Sequence, residues 1–242
     1  MNQRGNKGGA WAQPLYAQNV NQLEALGTLR ATIDGRVFAY ARAGGVALSP
    51  GKLTQTSVVD TNAKDEASAE VTALGSTTIN VTFGGAVTAD YYKDGYLHIS
   101  DGTGEGAAPY RIKSHPAGTT LVAVELYDPL RIATVATTSL ITLTKHPQDA
   151  VVVFPTTQTG APAGVPPISV TEDYYFWNQV KGPASVWTYG TIVIGNDVGP
   201  TTAAAGAVAA LASSDILGAV GRVLQVNATT YYSLIQLAIP GY

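Results

Sequence analysis

The sequence predicts an all-β protein: two small β-barrel or β-sandwich domains with an extended N-terminal arm. Three observations carry that prediction. Charged residues make up only 13% of the 242 residues, whereas glycine contributes 26 and proline 13, a composition of strands and tight turns rather than of helices. Period-two alternation recurs along the chain, most plainly in Tyr96-Leu97-His98-Ile99-Ser100, the spacing of a strand with two unlike faces. Clusters of glycine and proline punctuate these runs where turns are needed.

A chain of this length buries about 70–75% of the surface its unfolded form exposes, enough for one large or two small cores. It has no cysteine, which removes disulfides, thiolate nucleophiles and Cys-based metal sites together. The net charge of −3 argues against a nucleic-acid partner, which calls for a clustered basic surface. Charge is unevenly spread, however. Residues 1–52 carry six bases against Glu24 and Asp34, a balance of +4 that leaves −7 for the remainder. That asymmetry fits docking to an acidic surface, and equally a chance distribution in a weakly charged chain. The polar N-terminus lacks the apolar stretch of a secretory signal, and no apolar run reaches membrane-spanning length, so a soluble chain without membrane contact is expected.

Taken in order, residues 1–29 read as the arm. Glycine, asparagine and glutamine dominate, with isolated apolar anchors at Trp11, Leu15 and Tyr16; so little apolar surface cannot fold a core alone. Such a segment suits docking onto a neighbouring subunit, with Arg4 and Lys7 against acidic side chains. Residues 30–150 form the first β-rich domain. Its strands are expected at Val37–Arg42, Leu74–Phe83, Tyr96–Ser100, Tyr110–Ile112, Thr120–Tyr127 and Ser139–Leu143, and a wide loop, Asp101–Gly106, joins the third to the fourth. Residues 151–169, with Pro155, Pro162, Pro166 and Pro167, read as a linker or long exposed loop. Residues 170–242 form a second barrel-like domain, its strands separated by turns such as Gly182-Pro183 and Gly195-Asn196. The alanine run 203–212 is read as extended, against its helical propensity.

Chemical motifs are sparse. The loop Gly102-Thr103-Gly104-Glu105-Gly106 is followed by Ala107 and Ala108, without the helix or the Lys-Ser/Thr pair of a phosphate loop, which argues against nucleotide binding. Asp94, Asp101 and Glu105 lack the alternating spacing of a calcium loop and read as an acidic turn. His98, His115 and His146 fall on separate elements, and no nucleophile elbow is present. No cofactor and no catalytic residue is assigned. In Tyr174-Tyr175-Phe176-Trp177 both strand faces are apolar, which implies burial on two sides, by core on one and by a neighbouring subunit on the other. Tyr175, Trp177 and Trp187 are therefore the expected subunit-interface residues.

Several stretches together resemble virion structural proteins of tailed bacteriophages, in particular head decoration, or cement, proteins. They are Gly35–Gly45 with Pro50-Gly51-Lys52, Asp94-Gly95-Tyr96 with Asp101–Gly106, Tyr175–Ala184, and Gly218–Leu224. The resemblance spans most of residues 30–240 and rests on turns and strand cores. It implies a homotrimer on the outer capsid surface, assembled in the host cytoplasm, with the major capsid protein as partner and an arm bridging capsomers. The presence of two β-rich units, where many such proteins have one barrel, leaves a tail, collar or head-fibre component that binds host glycan as the alternative.

Overall fold

The computed structural model describes residues 11–211 and 218–242. Among them the protein is all-β, with antiparallel sheets and one short 3-10 turn at Thr61–Ala63. The chain opens with β1 (Leu29–Ala31), β2 (Val37–Arg42) and β3 (Thr54–Gln55). Six strands follow: β4 (Glu66–Ala67), β5 (Thr78–Thr82), β6 (Tyr96–Asp101), β7 (Tyr110–Ser114), β8 (Leu121–Leu126) and β9 (Leu140–Thr144). The last group is β10 (Val152–Val153), β11 (Pro162–Gly164), β12 (Tyr175–Trp187), β13 (Asp197–Pro200), β14 (Val208–Ala210), β15 (Gly221–Gln225) and β16 (Tyr232–Ala238).

The first and last groups form one unit, residues up to Val58 with Pro147–Tyr242, while Val59–His146 form a second. The sequential division into 30–150 and 170–242 is thus replaced by a nested one. Its physical cause is strand pairing: β2 joins β12, some 130 residues downstream in the chain, in the register Trp177↔Tyr40 and Asn178↔Ala39.

In the nested unit the strand order is β4-β9-β6-β7-β8-β5. A bridge between Ser68 and Val81, and the bond from Ala69 N to Asn80 O at 3.0 Å, bring the two edges of that sheet together. The alternation read from sequence points Leu97, Ile112, Val122, Val124 and Leu143 into the interior, where they are buried with Tyr92 and Tyr110. Asp101–Gly106 is the wide loop expected: β6 and β7 pair only at Tyr96↔Arg111 and Leu97↔Tyr110.

The larger unit holds a seven-stranded sheet, β1-β2-β12-β16-β15-β13-β14. It curls until Val208 of β14 bridges Thr188, just past the end of β12, with Tyr189 N donating to Val208 O at 2.9 Å. Val186, Val198, Val208, Val223, Ile235 and Leu237 fill the enclosed core. β12 is one strand of 13 residues, not two strands about a turn. Gly182 and Pro183 lie inside it, opposite Leu237 and Gln236. A register shift and the positive φ of Gly182 (89°) absorb the irregularity. β2 no longer borders β12 beyond Lys181, so a residue without an N–H is tolerated there.

Residues 151–169 are not a linker either. β10 and β11 both pair with β3 in a three-stranded sheet, and Val151, Phe154, Ala163 and Val165 are buried. The alanine run is extended over β14 after a turn at Gly206; Ala212 lies outside the described residues.

One backbone approach limits the nested barrel. A Cβ added at Gly95 would sit 2.2 Å from Thr144 O, and both are backbone-anchored at the β6–β9 pairing. We expect Gly95→Ala to destabilise that unit by about 1–3 kcal/mol, read as a lower urea midpoint with an unchanged slope.

Candidate functional site

The segment Trp11–Thr28 has no strand, yet it is tightly held on the face that β2 and β12 turn away from the barrel core. Alternation places Phe38, Tyr40, Tyr175 and Trp177 on that face, and Trp11 and Leu15 pack against them. Trp11 meets the buried Trp177 edge-on at 5.2 Å, and Tyr40 stands edge-on to the same indole at 5.1 Å, the geometry favoured by ring quadrupoles. The Arg30 guanidinium lies over both indoles, 5.3 and 5.6 Å from their centres.

Gln13, only 1% exposed, pins the strap. Its Nε2 donates to Ala17 O and Tyr175 O at 2.8 and 3.0 Å, and its Oε1 accepts the Tyr40 hydroxyl at 2.7 Å. Its backbone oxygen accepts from Trp177 Nε1 at 3.2 Å and Arg30 Nη1 at 3.1 Å. Asn19 exchanges two backbone bonds with Tyr175, and Leu23 N donates to the Tyr40 oxygen. The second cover expected over the aromatic strand is therefore this chain's own N-terminal segment. Trp11, Leu15, Tyr175 and Trp177 are brought together within one chain, and Trp177 presents no face to a glycan. Arg4 and Lys7 lie outside the described residues.

The outward side of the strap is apolar in part: Val20 is 60% exposed, and Tyr16 and Leu23 are exposed as well. Tyr16 accepts a hydrogen bond from Arg36 Nη1 at 2.8 Å. Two bases of residues 1–52 are paired within the chain: Arg36 with Asp34 at 2.8 Å and Arg42 with the buried Asp149 at 2.6 Å.

Trp187 stands apart, on the second half of β12. It is half-buried, donates Nε1 to Thr230 O at 3.1 Å and lies under Lys52 Nζ, 4.9 Å from the ring centre. On the same outer surface Leu234 of β16 and Leu224 of β15 are exposed, and the bond from Gly195 N to Val223 O brings exposed Val193 and Ile194 alongside β15. Sequence reasoning missed this patch, since the alternation that reveals outward residues cannot say which strands adjoin.

Among the described residues no group of three or more His, Asp or Glu side chains could hold a metal ion. The acidic turn is self-satisfied: Asp94 pairs with Arg111 at 2.6 Å, and Asp101 and Glu105 both accept from Gly102 N. His115 is buried, accepting from Tyr92 N at 3.1 Å and contacting Pro116 O at 2.9 Å, a structural role. No protein-family model, no curated protein and no solved structure matches the chain.

Burial is the main cause holding the Tyr40 phenol above the ordinary tyrosine value. Its contribution to stability is therefore intact below about pH 10 and falls as pH rises beyond it, when the unfolded phenol ionises first. Tyr40→Phe, which also leaves Gln13 Oε1 without its donor, should lower stability by about 1–2 kcal/mol at neutral pH. In melts across pH 8–11 the variant should show a shallower alkaline decline than the parent chain.

Proposed function

We propose that the protein is a non-enzymatic structural component of a bacteriophage virion, bound to the outer capsid surface and bracing contacts between capsomers. The supporting observation is that two surfaces built by the larger unit each expose several apolar side chains. The first is the β15–β16 patch of Leu224, Leu234, Val193 and Ile194; the second is the outward side of the strap, Val20 and Leu23. Apolar side chains left exposed on an outer sheet surface in this way suit a protein contact. The resemblance of residues 30–240 to head decoration proteins supports the same conclusion.

In this reading the β15–β16 patch joins copies of the chain into a homotrimer, and the strap faces the major capsid protein. The mechanism is additive geometry. A trimer seated across a seam engages several capsid subunits at once, so each later contact forms at high effective concentration and total affinity exceeds that of any single one. The strap, already ordered on its own chain, avoids most of the entropy that a free arm would lose on docking.

Sedimentation of the purified chain should give a trimer, and Leu234→Asp should give monomers with an unchanged circular dichroism spectrum. On reconstituted shells the parent chain should reach a fixed ratio to the capsid subunit, and the Val20→Asp, Leu23→Asp double variant should bind at least about tenfold more weakly. A parent chain that stays monomeric, or purified particles without it, would refute the proposal.

A further inference from the structure

The nested unit takes no part in the proposed trimer and capsid contacts, yet one end of its barrel is a built surface. There β4, β6 and β8 finish and β5, β7 and β9 begin, so three connections meet: residues 68–77, 102–109 and 127–139. The unit's chain ends, Val59 and His146, belong to the opposite end, where Gly84 N donates to Asn62 O. The three connections are tied to one another. Thr72 and Thr134 form a β-bridge, with Thr134 N donating to Thr72 O at 3.0 Å, and Leu130 N donates to Ser76 O at 2.8 Å in the same register. Thr137 N donates to Ser68 O at 2.9 Å. The glycine loop is held to the third connection by Ser139 Oγ donating to Thr103 O at 2.7 Å and Arg131 Nη1 to Ala108 O at 3.1 Å. A surface braced in this way has little conformational freedom left to lose on docking.

Its middle is aliphatic. The Thr72–Thr134 register sets Val71 opposite Val135 and Leu74 opposite Ile132, and all four are exposed, Val71 and Leu74 by 66% and 67%. The glycine loop closes on the same residues, since a Cβ added at Gly104 would lie 3.6 Å from Ile132 Cγ2. Its margin is acidic. Glu70, Glu105 and Asp128 are exposed on the connections and Asp101 at the end of β6, against one cation there, Arg131. That guanidinium is drawn over the Tyr110 ring, 4.9 Å from its centre. Aliphatic side chains within a charged rim have the anatomy of a protein contact, and the sign of the rim restricts what docks. Nucleic acid and anionic lipid bring more negative charge, and a second copy of this end would set carboxylates against carboxylates.

We propose that this end of the nested barrel docks a protein partner whose aliphatic patch is ringed by lysine or arginine. Val71, Leu74, Ile132 and Val135 are removed from water against that patch, and Glu70, Asp101, Glu105 and Asp128 meet its cations. The acidic turn of the sequence thereby gains a role: its charge selects the partner, and the aliphatic residues beside it hold the partner in place. Nothing in this contact requires the virion assembly of the larger unit.

The test titrates the full chain, by calorimetry at low and physiological salt, with three capped octapeptides: alternating Leu-Lys, alternating Ser-Lys and alternating Leu-Glu. Leu-Lys should saturate, and each of the other two should bind at least about tenfold more weakly. Leu74→Ser combined with Ile132→Ser should weaken Leu-Lys by a similar factor at unchanged melting temperature. Glu70→Gln combined with Asp128→Asn should weaken it about threefold at low salt. Leu234→Ser, on the larger unit, should bind Leu-Lys as the parent does. Absence of Leu-Lys binding, equal binding of Leu-Lys and Ser-Lys, or parent-like binding by the Leu74→Ser, Ile132→Ser chain overturns the proposal. So does a change in the sedimentation of that chain, which would place a second copy on the patch.

Discussion

The larger unit depends on a strand that must be covered on both faces. β12 pairs with β2 through its first half and with β16 through its second. One of its faces closes the valine-rich barrel core; the other carries Tyr175 and Trp177. Burying a large aromatic side chain is worth about 1.5–3 kcal/mol, so leaving Trp177 and Tyr40 uncovered would forfeit a sizeable share of a domain's net stability, about 5–15 kcal/mol. The chain answers with residues 11–28, too polar to fold alone and therefore held by contacts that complete someone else's surface. Gln13 is the hinge of that arrangement, since it satisfies groups on β2, β12 and the strap at the same time.

Local signals in the sequence were read with success where the partner strand is near in sequence. Leu97, Ile99, Ile112, Val122 and Val124 announce their own inward direction, and the β6–β9 segment follows from them. What a single sequence withholds is which distant strands adjoin. Nothing in Val37–Arg42 says that it pairs with Tyr175–Lys181, so the nesting of one unit within the other was illegible. Gly182-Pro183 misled for a related reason: the same dipeptide makes a turn in a free segment and a bulge in a strand held by β16. Residues 151–169 looked like a linker because four prolines outweighed apolar residues such as Val151, Phe154, Ala163 and Val165, whose burial only the fold reveals.

The candidate site shows the same division. The aromatic strand and its need for a second cover were legible in Tyr174–Trp177; that the cover is supplied in cis was not, because isolated anchors such as Trp11 and Leu15 carry no address.

Electrostatics bears on how such a chain would meet a partner. Arg36 and Arg42 are committed to Asp34 and Asp149, and Arg30 to the indoles, so these three cations are engaged within the fold. Attraction between exposed charges is screened over about 8–10 Å at physiological salt, whereas apolar burial is strengthened by kosmotropic salts. In the proposed assembly, a surface built from Val20, Leu23, Leu224 and Leu234 would hold its partners through removal of apolar area from water. Such contacts would tolerate ionic strength and draw their specificity from shape, which suits the proposed lattice more than a transient charged encounter.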